Sequence, residues 1–226
     1  MELHTFSIAA HDPDEGSYGV VVSTARPAVG SLVPFVSLRA AIATQARVNT
    51  DLGRRGLALI EAGVPIDLAL GALLDADEDR DRRQLHGVTG AGAFVFSGEA
   101  CVAWAGHLTG DNFTIAGNML TGPDVIEAMA AAFVAARDAG LDLSDRLLRG
   151  LVAGQAVGGD KRGKQSAALL VASPDPRMYH NLRVDDHPDP VAELERIYAV
   201  VVEQSQQIER EYGREGLRLF SKVKIG

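Results

Sequence analysis

The chain has 226 residues, 46% of them apolar and 23% charged, with 30 acidic against 22 basic side chains and a formal net charge of −8. That length and apolar fraction suit one globular domain with a sizeable core. The acidic balance argues against a nucleic-acid partner, because the one dense basic cluster, Lys161-Arg162-Gly163-Lys164, is too small to displace a duplex's counterions.

Cys101 is the only cysteine, which excludes an intrachain disulfide and a cysteine-based zinc site. No apolar run approaches the ~20 residues that span a bilayer. Met1-Glu2-Leu3-His4 lacks the basic-then-apolar order of a secretory signal. The expected setting is a reducing cytosol, with no membrane partner. Aromatics are only 5%, while Ala and Gly are abundant, so backbones are expected to pack closely.

Residues 3–11 alternate, with Phe6, Ile8 and Ala10 on one face and Thr5, Ser7 and Ala9 on the other, which predicts a strand. Asp12-Pro13-Asp14-Glu15-Gly16 is a turn cluster, and Tyr18 to Thr24 is expected to pair back as a second strand. Gly30 to Pro34 reads as a loop before a strand over Arg39–Ala46. Asp51 is expected to cap a helix carrying Leu52, Leu59 and Ile60, with Gly63 at its C-terminal end. Pro65 opens a second helix with Leu68, Leu70, Leu73 and Leu74. The charged run Asp77–Arg83 then reads as a solvated helix end or loop.

Four short strands are predicted around 84–89, 92–96, 101–107 and 112–117, broken by Gly90, Gly98 and Gly110. Gly122-Pro123 begins a helix whose stripe is Ile126, Met129, Ala130, Phe133 and Val134. Ser144 is expected to cap the next, with Leu147, Leu148, Leu151 and Val152. A loop from Gly158 to Lys164 leads into a strand at Ser166–Ala172, with 178–184 as its partner, and Asp189-Pro190 starts a long final helix. Short connections between strands imply antiparallel pairing. Two helix pairs separated by such sheets suit an α+β protein, either a four-layer αββα sandwich or a simpler two-layer fold.

Several stretches together carry a family resemblance. They are Thr5-Phe6-Ser7-Ile8, Ala43-Thr44-Gln45-Ala46, Trp104-Ala105-Gly106-His107 and Gly117 through Pro123, followed by Gly158 through Ala168 and Arg183 through Pro190. From Thr5 to about Ala199 the chain resembles an uncharacterised, mostly bacterial family, domain of unknown function 1028, grouped with the N-terminal-nucleophile (Ntn) hydrolases. The resemblance implies the four-layer αββα sandwich over residues 1–199, with 200–226 as a helical extension, and it implies no particular substrate.

An Ntn hydrolase attacks an amide carbonyl with the side chain of an N-terminal Thr, Ser or Cys, whose own α-amine takes the proton. The α-amine suits the task because its pKa is about 7.7–8.0. By resemblance the nucleophile is Thr5, and Thr24, Asn118 and Asp160, polar residues at strand ends, complete the candidate catalytic set. Gln45, Arg162, Gln165 and Ser166 are the candidate substrate-binding residues. Asn118 either donates to an oxyanion or serves as a turn residue. Asp160 and Arg162 either orient the amine and clamp a carboxylate or brace their own loop. Four residues precede Thr5, so the role requires cleavage between His4 and Thr5. The resemblance implies Ser-Lys where this chain has Thr24-Ala25, and Ala25 cannot aid the nucleophile as a nearby lysine does in proteasome-like members.

Three other signals are set aside. Gly158 to Lys164 resembles the first part of a phosphate loop, but Gln165 stands where Mg²⁺ binding needs Ser or Thr, and a strand follows instead of a helix. Asp185-Asp186-His187-Pro188-Asp189 reads as an extended segment and helix start, so no metal or other cofactor is expected. Cys101, beside Val102 and Ala103, reads as a core strand residue. Two functions stay open: an amidohydrolase acting on a small amide or peptide-like bond, and a non-catalytic metabolite-binding or assembly protein that keeps the fold. The apolar positions Val191, Leu194, Ile197, Tyr198, Val201 and Val202, then Leu217, Leu219 and Phe220, predict a homodimer through the C-terminal helix.

Overall fold

The structure, a computed structural model, describes residues 2–3 and 5–216, with side chains from Thr5 to Gly213. Strands β1 (Glu2–Leu3), β2 (Thr5–Asp12), β3 (Ser17–Thr24), β4 (Pro34–Val36) and β5 (Ala40–Arg47) come first, before helices α1 (Thr50–Glu61) and α2 (Ile66–Asp75). A meander follows, of β6 (Arg83–Thr89), β7 (Gly92–Ser97), β8 (Gly106–Gly110) and β9 (Phe113–Gly117). Helices α3 (Asp124–Asp138) and α4 (Leu143–Ala156), strands β10 (Ser166–Ala172) and β11 (Asn181–Val184), and the long helix α5 (Pro190–Gly216) complete the chain.

This is a mixed α+β protein built on two antiparallel sheets. One has the order β11-β10-β3-β2-β9-β8. In the other, β1 and β4 both pair with β5, which continues to β6 and β7. The first hairpin forms because Asp12 Oδ1 accepts from the amides of Asp14 and Glu15 at 3.0 and 3.3 Å, closing the turn that the Asp/Pro/Gly cluster predicts.

The alternation along β2 has physical consequences. Phe6, Ile8 and Ala10 join one buried cluster with Met129 and Phe133 of α3, Leu147 and Leu151 of α4, and Leu194 of α5. Ala9 turns the other way and joins Val20 and Val22 of β3, Ala41 and Ala43 of β5, and Val88 of β6, so this second cluster lies between the two sheets. A third cluster holds α1 and α2 against Ile42 and Leu85 on the far face of the five-stranded sheet. The expected close packing is visible where α4 crosses β2: a Cβ on Gly150 would sit 2.4 Å from Ile8 Cδ1. No helix among the described residues is long and apolar enough to cross a membrane.

Local chemistry moved several boundaries. Asn49, not Asp51, caps α1, accepting from the Asp51 amide at 3.1 Å. Asp142, not Ser144, caps α4, accepting from the Asp145 amide at 2.9 Å, and Ser144 is buried inside the first turn. The short strand β4 lies at the end of a segment expected to be loop.

The strand expected at 101–107 is β8, at Gly106–Gly110. Residues before it are held elsewhere: Val102 and Trp104 carbonyls accept from the Met119 and Leu120 amides at 2.9 and 3.0 Å. Cys101 is therefore a half-buried loop residue, whose thiol donates to the Arg83 carbonyl, and not a strand residue in the core. The run Asp77–Arg83 is also not simply solvated. Arg83 is buried and held by Asp77 at 3.0 Å and by the Arg47 carbonyl. Helix α5 runs through residue 199, and Leu217, Leu219 and Phe220 lie outside the described residues.

Candidate functional site

Four of the predicted residues form one row across the six-stranded sheet. Thr5 is registered opposite Thr24, Thr24 opposite Ser166, and the Asn118 amide donates to the Thr5 carbonyl at 3.0 Å. All four are buried, at 1% exposure or less. The row lies on strands β10, β3, β2 and at the end of β9, so residues more than a hundred positions apart meet because of sheet order alone. The Thr5 hydroxyl is buried and has no hydrogen-bond partner among the described residues. Such a group costs about 1–3 kcal/mol unless something binds it.

The Gly158–Lys164 loop closes one side. Gly158 and Gly159 take φ of 127° and 56°, backbone shapes that side chains resist. They let the chain double back so that Asp160 bridges to Leu120, just beyond Asn118. The buried Asp160 carboxylate accepts from the Ala25 amide at 3.2 Å and the Arg162 amide at 2.9 Å, and the Arg162 guanidinium lies 3.4 Å away. The brace between Asp160 and Arg162 forms, and it forms beside Thr24.

The substrate-binding candidates divide. Arg162 stays exposed on the rim. Gln165 turns to Asp186 at 3.1 Å, and its amide donates to the Thr24 carbonyl at 2.8 Å. Ser166 is tied off, donating to the Arg26 carbonyl and accepting from the Val29 amide, so it supports the row and does not reach outward. Gln45 is fully buried between the sheets, so no described face of it is open to a substrate. Its position follows from strand parity, because Ala43, two residues earlier, packs in the inter-sheet cluster.

Around Gln45 lies a network that sequence reasoning missed. Ser7 Oγ donates to Gln45 Oε1 at 2.7 Å, and Gln45 Nε2 donates to Gln84 Oε1 at 2.8 Å, which also accepts from Asn118 Nδ2 at 3.1 Å. Ser7 Oγ is also 2.8 Å from His86 Nε2, and His86 Nδ1 is 2.9 Å from Thr114 Oγ1. Burial, with a smaller contribution from His107, pushes the His86 pKa down to about 3. The available signal was Gln84 and His86 at alternate positions of a strand whose intervening residue is Leu85: polar groups facing inward need partners.

Two more non-glycine residues have left-handed backbones here, Ala46 after Gln45 (φ 65°) and Met119 after Asn118 (φ 53°). Strained backbone of this kind gathers at functional sites. The recess lined by Ala46, Arg47, Arg82, Cys101, Val102 and Asn118 holds only about 10 Å³. A cavity of about 740 Å³ lies at the opposite end of β3, beside Tyr18 and the α1–α2 loop, away from this row. The backbone of Glu2 and Leu3 pairs antiparallel with Arg47 and Ala46. Met1 and His4 lie outside the described residues. The described residues contain no group of three or more His, Cys, Asp or Glu side chains able to hold a metal ion.

Comparison with known proteins adds two likenesses. A family model described as "Family of unknown function (DUF1028)" matches residues 5–194. The chain is also similar to the crystal structure of protein SPO2555 from Silicibacter pomeroyi, assigned to the same family. The identity is 33% and the TM-score 0.80, over 91% of this chain and 94% of that one. No curated protein matches the chain.

Proposed function

Because the chain belongs to the DUF1028 family, we propose that it is an Ntn-type amidohydrolase, an αββα sandwich cleaving a small amide or peptide-like bond with Thr5 as nucleophile once residues 1–4 are removed. The observation that carries this reading is the Thr5 hydroxyl, buried and without a partner among the described residues, at the head of a row that includes Thr24 and Asn118. In a chain beginning at Thr5, Oγ1 attacks the amide carbonyl carbon while the α-amine takes the hydroxyl proton and passes it to the leaving amine. Water then releases the acyl group from the ester. Asn118 Nδ2 is the side-chain donor for the oxyanion, and Asp160 holds the Thr24–Ala25 backbone that borders the amine.

Two observations favour a second reading, a non-catalytic binding or assembly protein. The backbone of Glu2 and Leu3 is integrated into the five-stranded sheet, and Ala25 supplies no cation. Chains starting at Met1 and at Thr5, with Thr5→Ala as control, decide between the two against a panel of small amides. Hydrolysis by the Thr5-start protein alone supports the first reading; a Thr5-start protein as inert as Thr5→Ala ends it. The proposal retains a cytosolic setting and a homodimer through α5, on which Val200 and Tyr212 are 47% and 67% exposed. Light scattering of Val200→Ser/Tyr212→Ser against the parent chain tests the dimer.

A further inference from the structure

Gln84 belongs to the five-stranded sheet, yet its amide nitrogen reaches two carbonyls of the other sheet. It lies 2.9 Å from Gly117 O and 3.1 Å from Gly106 O, with Ser97 Oγ at 2.7 Å. Carbonyls only accept. Turning the amide over would set Gln84 Oε1 against two carbonyl oxygens at a fully buried position. The orientation is thereby fixed, with Nε2 toward the carbonyls and Oε1 toward Gln45 and Asn118.

The rest follows link by link. Oε1 accepts from Gln45 Nε2 and Asn118 Nδ2, so both residues present their amide nitrogens to it. Gln45 Oε1 then faces Ser7, whose single hydroxyl proton goes to it. Ser7 Oγ is left to accept from His86, so the ring proton sits on Nε2, and bare Nδ1 accepts from the Thr114 hydroxyl. A neutral ring is required throughout, and full burial supplies it.

We propose that Gln84 is a positioning residue of the candidate site: anchored on the Gly106 and Gly117 carbonyls, it turns Asn118 donor-first and imposes one direction on the hydrogen-bond chain Thr114–His86–Ser7–Gln45 behind Thr5. Gln84 takes one Asn118 Nδ2 hydrogen, and the second is the one a developing oxyanion would use. Only that last use rests on the hydrolase reading; the direction of the chain does not.

The test reads the His86 imidazole in ¹⁵N-labelled full-length protein. The wild-type ring should be neutral with its proton on Nε2 from about pH 8 to about pH 5, a range in which ordinary histidines titrate. Gln84→Met keeps a similar volume but removes donor and acceptor, so Gln45 is free to turn over. His86, three links away, should then populate both tautomers. Thr114→Val, at the far end, should leave the proton on Nε2, because the direction is set from Gln84. In a Thr5-start protein that cleaves an amide, Gln84→Met should lower kcat about 10- to 100-fold with KM changed less than about threefold, and adding Asn118→Ala should lower it little further.

A wild-type ring protonated on Nδ1 overturns the proposal without any variant. So does a His86 tautomer unchanged by Gln84→Met, or one reversed by Thr114→Val. If His86 behaves as expected while the Thr5-start protein is inert, the hydrolase reading alone fails.

Discussion

The Asn118 amide donates to the Thr5 carbonyl at 3.0 Å, so the last rung between β2 and β9 is made by the candidate nucleophile and the candidate oxyanion donor themselves. The rung uses main-chain atoms, and it should survive side-chain changes at either residue. Asn118→Ala removes only the 3.1 Å bond to Gln84 Oε1, which keeps Gln45 as a donor. A loss of about 1 kcal/mol is expected by urea denaturation. Asn118→Asp places a carboxylate against an acceptor oxygen and should cost more, about 2–3 kcal/mol. An Asp variant as stable as the parent would contradict the assigned direction of the bond.

Thr5→Val should stabilise the full-length chain, or leave it unchanged, by about 0–1 kcal/mol. The hydroxyl it removes is buried and unpartnered among the described residues, and valine has the same shape. Ser7→Ala, two residues on and facing the same way, should instead cost about 1–3 kcal/mol, because the buried Gln45 Oε1 and His86 Nε2 each lose the Ser7 hydroxyl. Thermal melts should therefore show a lower midpoint for Ser7→Ala and no lowering for Thr5→Val. A destabilised Thr5→Val would mean that the hydroxyl has a structural duty.

His86 makes the fold sensitive to mild acid. Its folded pKa, about 3, lies below the unfolded value of about 6.5. A group depressed in this way prefers to take its proton in the unfolded chain. Its stabilising contribution is present above about pH 6.5 and falls as pH drops from there toward the folded value. At pH 5 the loss is about 2 kcal/mol. His86→Gln should flatten stability between about pH 6.5 and pH 4, as followed by urea midpoints, at the cost of lower stability at neutral pH.

Asp77 and Arg83 form a buried pair at 3.0 Å, with side-chain exposures of 9% and 8%. Burial pushes the Asp77 carboxyl pKa up, but Arg83, Asn49 and the Asp79 amide together outweigh it and hold the pKa below the usual range. Asp77→Ala would leave a buried guanidinium with, among the described residues, only Asp79 at 3.5 Å and the Arg47 carbonyl, so a loss of about 3 kcal/mol is expected. The surface pair Arg54–Asp51 should cost less than about 0.5 kcal/mol when Asp51 is replaced by Ala. Equal effects in urea would refute the burial argument.

The elements themselves were largely legible in the chain. Alternation marked β2 and β3, the Asp/Pro/Gly cluster marked their turn, and Ile126, Met129 and Phe133 marked the buried stripe of α3. These are local signals, set by side-chain period and by turn chemistry within a few residues. Caps were less secure, since Asn49 and Asp51, or Asp142 and Ser144, are chemically equivalent choices that only the path of the entering chain separates.

The candidate site divides the same way. Resemblance pointed to Thr5, and polar residue type at strand ends to Thr24, Asn118, Asp160 and Ser166; the tertiary structure brought them together because β10, β3, β2 and β9 lie side by side. Only the tertiary structure revealed Gln84 and His86. Nothing local tells a polar residue on a strand whether it faces water or a second sheet. That is decided when the two sheets stack, and burial then makes any polar group on the shared face costly unless it finds a hydrogen-bond partner.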